Sequence, residues 1–270
     1  MIPYICSTCC AEFPPSDHPP QICPICSDPR QYINPNGQSW ITNTELAEHH
    51  HTDLRQQEPG LLGIGVTPQA GIGQRALLIE HASGGIMWEG VPLLDDAAID
   101  EIQRRGGVRA MVMSHPHLYG AMVTNSQKLG NVPIYLPEAD RDWVMRPHEN
   151  IRYWSGDELD LDDGIKLFRT GGHFEGSSFL HWPQGANGKG ALLTGDTIAV
   201  APDPDWVSFM WSTPNMVPLS PRAMRTIVAT AEKLSYDRIY AGWWNAVMQS
   251  GAKAKVAASE QRILEMMRMD

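Results

Sequence analysis

Residues 111–120 read Met111-Val112-Met113-Ser114-His115-Pro116-His117-Leu118-Tyr119-Gly120. An apolar run ends and opens into a loop carrying two histidines at i and i+2, with Pro116 stiffening the link. From a non-helical turn of this kind both rings can face one ion. Two further apolar runs end the same way: Phe168-Arg169-Thr170-Gly171-Gly172 leads into His173, and Leu192-Leu193-Thr194-Gly195 leads into Asp196. Any one of these histidines alone would read as a satisfied polar residue of the core. Three imidazoles and one carboxylate, each where a strand opens into a loop, are a nitrogen and oxygen donor set suited to zinc or iron. His115, His117, His173 and Asp196 are therefore expected to hold one metal ion.

A second donor set stands at the start of the chain. All five cysteines of the 270 residues fall within the first 26: Cys6, Cys9, Cys10, Cys23 and Cys26. Cys6-x-x-Cys9 and Cys23-Pro24-Ile25-Cys26 form two knuckles that together complete a tetrahedral four-thiolate site. The segment is too short for a core of its own, so metal is expected to hold it together. The stretch YICSTCCAEFPPSDHPPQICPICSDPRQYI also resembles the short rubredoxin-like domain that ends rubrerythrins. That likeness implies an iron–tetrathiolate centre as the rival to structural zinc. Cys10 stands where that family usually has glycine after its first knuckle, and is strained there if the turn needs positive φ. With four thiolates already closing the site, Cys10 is not expected to be a ligand.

Composition narrows the function classes. Twenty-one basic and 31 acidic side chains give a formal charge of −10, which repels phosphate backbones and anionic lipids. Only Arg30 is basic in the first 40 residues, so the ribbon does not read as a nucleic-acid binder. A small-molecule partner is expected, with no nucleic acid and no membrane; a homo-oligomer is left open. No apolar run approaches ~18 residues and the start, MIPYICSTCC, has no signal-peptide pattern, so the expected compartment is the cytoplasm.

Asn34-Pro35-Asn36-Gly37 reads as a linker turn between a ribbon of residues 1–36 and a larger domain of residues 37–270. Thr42-Asn43-Thr44-Glu45 has capping-box spacing and is expected to open a helix that runs to Pro59-Gly60. It would carry His49, His50 and His51, which point about 100° apart and are read as solvated. Beyond it, strands are expected near 61–66, 75–79, 85–88, 110–113 and 132–136, then near 165–169, 179–182, 191–193 and 238–240. Helices are expected over 95–105, 123–129, 138–145, 221–234 and 252–267. Gly185-Ala186-Asn187-Gly188 reads as hairpin-turn chemistry. Two β-rich halves, each with helices, point to a sheet-on-sheet sandwich flanked by helices.

From about residue 60 onward the chain resembles the metallo-β-lactamase superfamily. The carriers are Ser114-His115-Pro116-His117, Gly171-Gly172-His173-Phe174-Glu175-Gly176-Ser177, Thr194-Gly195-Asp196-Thr197 and Ile239-Tyr240-Ala241-Gly242. The resemblance implies an α/β fold, the αββα sandwich of that family, here with a small N-terminal four-cysteine ribbon. It gives Glu89 a supporting role toward the ligands, at the place of a family aspartate. It also implies a lost second metal: the family's second-site Asp and His are Tyr119 and Gly120 here, and its last His is Trp243. One zinc or iron ion is expected rather than two.

A single ion with three imidazoles and a carboxylate leaves room for water and can lower its pKa towards ~7. Hydrolysis of an ester, thioester, lactone or amide is the expectation that follows. Asp196 would serve as ligand or proton acceptor, and Tyr119 as hydrogen-bond donor to the developing oxyanion. Trp211, Trp243 and Trp244 are expected to line an apolar or aromatic substrate pocket. The loop over 201–218 is Pro-rich and long for a connection. The alternatives are an iron-dependent redox protein served by the rubredoxin-like centre, and a non-catalytic metal-binding relative.

Overall fold

The computed structural model describes residues 1–268, which fall in two compact units, one from Met1 to Trp154 and one from Ser155 onward. The first unit opens with the ribbon: β1 (Tyr4–Cys6), a one-turn α1 (Pro24–Ser27) and β2 (Trp40–Thr42), which pairs antiparallel with β1. The strand that closes the ribbon thus comes from beyond the Asn34–Gly37 turn, where the Gly37 amide donates to the Asn34 carbonyl at 2.8 Å. Cys10 adopts φ +63°, the left-handed conformation that glycine takes without strain. A β-carbon on Gly71 would stand 2.3 Å from its sulfur, so a neighbouring glycine makes room for the bulkier residue.

α2 (Asn43–His49) begins as expected: the Thr42 hydroxyl accepts from the Glu45 amide while the Glu45 carboxylate accepts from the Thr42 amide. It ends ten residues earlier than the expected Pro59-Gly60 stop. Residues His51–Glu58 form β3 instead, paired antiparallel with β4 (Leu61–Thr67), and Pro59-Gly60 is the hairpin turn between them. β3 is an edge strand whose side chains are mostly polar, so no apolar alternation announces it, and pairing with β4 overrides the local helical pattern. His49 and His51 are exposed, and His50 Nδ1 lies 3.1 Å from the Leu46 carbonyl.

The meander continues through β5 (Ala76–Ile79) and β6 (Gly85–Trp88), then turns parallel. α3 (Asp96–Arg104) crosses to β7 (Val108–Val112), α4 (Met122–Lys128) to β8 (Ile134–Pro137), and a 3-10 segment, Glu138–Trp143, to β9 (Ile151–Trp154). The seven strands lie in the order β3-β4-β5-β6-β7-β8-β9. Their core includes Leu62, Ile64, Met87, Val91, Met111, Ile134 and Tyr119; each aliphatic side chain fully buried there contributes about 1.5–3 kcal/mol.

The second unit is a six-stranded sheet ordered β10-β11-β12-β13-β18-β19. It begins with β10 (Glu158–Asp160), β11 (Lys166–Arg169) and β12 (Ser178–Trp182). A short turn, α5 (Gly185–Gly188), with Ala186 and Asn187 both left-handed, leads to β13 (Ala191–Gly195). Two small hairpins follow, β14 (Ala199–Val200) with β15 (Val207–Ser208) and β16 (Met210–Ser212) with β17 (Val217–Pro218). They give the long 201–218 connection structure of its own. α6 (Pro221–Glu232), with Ser220 as N-cap and proline in its first turn, then returns the chain to β18 (Arg238–Ala241), parallel to β13. β19 (Val247–Met248) and α7 (Ala252–Met266) close it. Among the described residues no helix is long and apolar enough to cross a membrane.

Candidate functional site

The ribbon brings Cys6, Cys9, Cys23 and Cys26 together, their sulfurs all within 4.8 Å of one another. Cys6–Cys26 and Cys9–Cys23 are 3.6 Å apart. Metal–sulfur bonds of about 2.3 Å at tetrahedral angles require sulfurs about 3.8 Å apart, so the four fit one tetrathiolate ion. Contact with Cys23 and the other thiols pulls the Cys6 thiol below its ordinary range and pushes Cys26 above it. Without a cation the four cannot ionise together. Cys10 is outside the set, and burial followed by the charge of Cys6 pushes it up to about 12. Phe13 and Ile25 back the cluster, and Trp40, Trp143 and Met145 pack against it.

In the first unit His115 and His117 flank the start of a 3-10 turn, Pro116–Leu118, just past β7. Both are buried, their rings 5.3 Å apart and inclined at 75°. Ser114 Oγ and His115 Nδ1 share a hydrogen bond of 2.7 Å. The Glu89 carboxylate accepts from the Ser114 amide at 3.1 Å, because β6 and β7 run parallel and deliver Glu89 and Ser114 to the same end of the sheet. Glu89 thus supports the backbone that carries the histidines.

Two residues further on, the chain closes against residues 90–91. The Gly90 amide donates to the Leu118 carbonyl at 2.9 Å and the Ala121 amide to the Val91 carbonyl at 3.1 Å. Gly120 is left-handed, φ +53°. Tyr119 is 2% exposed and belongs to the hydrophobic core, its hydroxyl without a hydrogen-bond partner among the described residues. Burial and then the nearby Asp140 push its ionisation well above the ordinary phenol range, so it stays a neutral hydroxyl.

In the second unit His173 lies in the loop after β11, and Asp196 directly follows β13. Both are buried. His173 Nδ1 donates to the Trp211 carbonyl at 2.8 Å, which leaves the lone pair of the neutral ring on Nε2. That Nε2 stands 3.8 Å from Asp196 Oδ2. The separation is too long for a hydrogen bond and close to the roughly 3.3 Å between two ligands of one tetrahedral ion. Trp211 therefore enters through its backbone carbonyl, a role no side-chain motif encodes. Trp243 and Trp244 are half-buried in the turn between β18 and β19.

Comparison with solved structures gives the class. VMB-1 superposes with a TM-score of 0.60 at 14% identity, covering 80% of this chain and 98% of its own. The metallo-β-lactamase DIM-1 gives 0.58 at 12%, covering 79% and 98%. The metallo-β-lactamase FIM-1 from Pseudomonas aeruginosa, in its mono-zinc form, gives 0.57 at 12%, covering 79% and 96%. The fold is the mixed α/β sandwich of the metallo-β-lactamases, and at these identities the likeness establishes the fold alone. No family model matches the chain. The uncharacterized protein YmaE of Bacillus subtilis (strain 168) is 40% identical over 264 residues, 97% of this chain and 96% of YmaE. The chain belongs to the YmaE family.

Proposed function

We propose that His115, His117, His173 and Asp196 form one donor set for a single divalent ion, and that the chain is a metal-dependent hydrolase of a small carbonyl compound. The observation that carries this is the His173–Asp196 pair: the Trp211 carbonyl fixes the ring so that Nε2 and a carboxylate oxygen lie at ligand spacing in a buried site. His115, tied through Nδ1 to Ser114, presents Nε2 in the same way. Three neutral imidazoles and a carboxylate suit zinc or iron, and FIM-1 supplies an instance of this fold in a mono-zinc form.

When bound, such an ion supplies Lewis acidity toward a carbonyl and acidifies water to a pKa near ~7. The chain's own residues do the rest. Asp196 would serve as ligand or as proton acceptor. Glu89 and Ser114 hold the His115 backbone and ring, and the Trp211 carbonyl holds His173. Tyr119 is the residue to test as oxyanion donor: retained turnover in Tyr119→Phe assigns it to packing. Half-buried Trp211, Trp243 and Trp244 favour an apolar or aromatic ester, thioester, lactone or amide.

The four-cysteine ribbon is assigned a structural zinc. Iron there is the second reading, because the same sulfur spacing accommodates either ion, and it would bring redox chemistry forward. Elemental analysis with an absorption spectrum, on the full chain, decides between them. Two zincs per chain and no visible bands support the hydrolase, whereas iron with thiolate charge-transfer bands supports the redox reading. A panel of chromogenic esters, lactones and thioesters run with wild type and His117→Ala then tests the activity. Turnover that survives His117→Ala would overturn the assignment.

A further inference from the structure

A buried carboxylate is among the ties between the ribbon and the rest of the first unit. Glu12 lies on the ribbon, bridged antiparallel to Ile5 and two residues past Cys10. Its side chain is 2% exposed and accepts from the Thr124 amide at 3.1 Å, from the Thr124 hydroxyl and from the Arg146 guanidinium. Arg146 also donates to the Thr124 hydroxyl at 3.0 Å. A buried carboxylate is tolerated only with partners of this quality, and losing it leaves the partly buried Arg146 guanidinium without its carboxylate.

Thr124 sits on α4, seven residues beyond His117. Between them, Ala121 is fully buried in a cluster with Ile5 and Cys10 of the ribbon. The ribbon therefore touches the chain immediately past the His115–His117 turn at two places, apolar at Ala121 and ionic at Thr124. A cavity of about 10 Å³, lined by Glu12, Ile25, Tyr119, Gly120, Trp143 and Arg146, lies in this seam, so ribbon and turn residues line one space.

We infer that Glu12 is a positioning residue through which the folded ribbon sets the affinity of the His115–His117 pair for its metal. The inference rests on reading that pair as ligands. A ribbon without metal has too small a core to stay folded; its Ile5, Cys10 and Glu12 contacts are then lost and the turn loses support. Coupling of this kind is reciprocal, so metal at the imidazoles also tightens the ribbon.

Cobalt(II) titration of the full chain tests this, because intense thiolate charge-transfer bands read the four-cysteine centre and weak visible bands read the nitrogen and oxygen set. In Glu12→Gln the thiolate bands should saturate as in wild type, while the dissociation constant of the second set rises about tenfold, the scale of outer ligand supports. Arg146→Lys, a milder change, should move it in the same direction, and it carries the test if Glu12→Gln does not fold. A lowered melting temperature with unchanged cobalt affinity in these variants would make Glu12 merely structural and overturn the inference. Wild type that shows thiolate-bound cobalt alone is a different result: it overturns the imidazole centre itself, and this inference with it.

Discussion

A β-carbon on Gly120 would stand 2.9 Å from the backbone nitrogen, carbon and oxygen of Val91. The position where the metallo-β-lactamase resemblance places a second-metal histidine is thus closed by the neighbouring chain. Gly120→His is expected to leave metal content per chain at the wild-type value. It should lower stability by about 1–2 kcal/mol for the left-handed backbone alone, with more from the clash. Metal analysis beside a thermal melt checks this; an extra metal taken up at undiminished stability would contradict it.

The hydroxyl of Ser114 meets His115 Nδ1 at 2.7 Å. Ser114→Ala removes that support without touching a ligand atom. The expected outcome is a 10–100-fold loss of metal affinity at the imidazole set, with the four-cysteine centre unaffected. Competition against a colorimetric chelator measures it.

Trp143 packs on the cysteine cluster, and the Arg30 guanidinium lies 5.2 Å from the centre of its ring. Stripping the ribbon metal, or Cys23→Ser, is expected to release both contacts. Structural tetrathiolate zinc contributes on the order of 10 kcal/mol to folding, more than so small a segment can replace. Tryptophan fluorescence should red-shift on chelation and recover on adding zinc. An unchanged spectrum would show that the ribbon stays folded without metal.

Asp95 caps α3, accepting from the Ala98 amide at 2.9 Å and from the Thr52 amide at 2.7 Å. Partial burial works to raise its pKa, but these hydrogen bonds, with one from the Thr52 hydroxyl, hold it below the ordinary value. Its folded pKa lies under the unfolded ~3.9, so its contribution is complete above that value and fades as pH falls through the lowered one. Asp95→Asn should therefore flatten the loss of stability below about pH 4 and leave the neutral region with a constant offset. Urea midpoints from pH 2 to 7 give the profile.

The residues that open strands into loops were legible because metal donors there have no better structural purpose as a set. The knuckles were legible from spacing, and α2's start from its capping box. β3 was not, since an edge strand of polar residues has no periodicity to display. The Trp211 carbonyl was invisible for another reason: a backbone acceptor can belong to any residue, and only the β16–β17 hairpin aims it at His173. Glu12 carried no signal in the sequence because its partners lie 112 and 134 residues away.

That separation also orders assembly in time. The knuckles close over 20 and 14 residues, whereas Glu12 must wait for Arg146 to be made. Short loops are the cheaper to close, and distant contacts form late. In a chain growing from its N-terminus, ion capture by the cysteines precedes the joining of Glu12 to Arg146. On the inferred coupling, the ribbon adds its support to the histidine turn once it has found its ion, so a cell short of that ion would make chains whose second centre is less well held from birth.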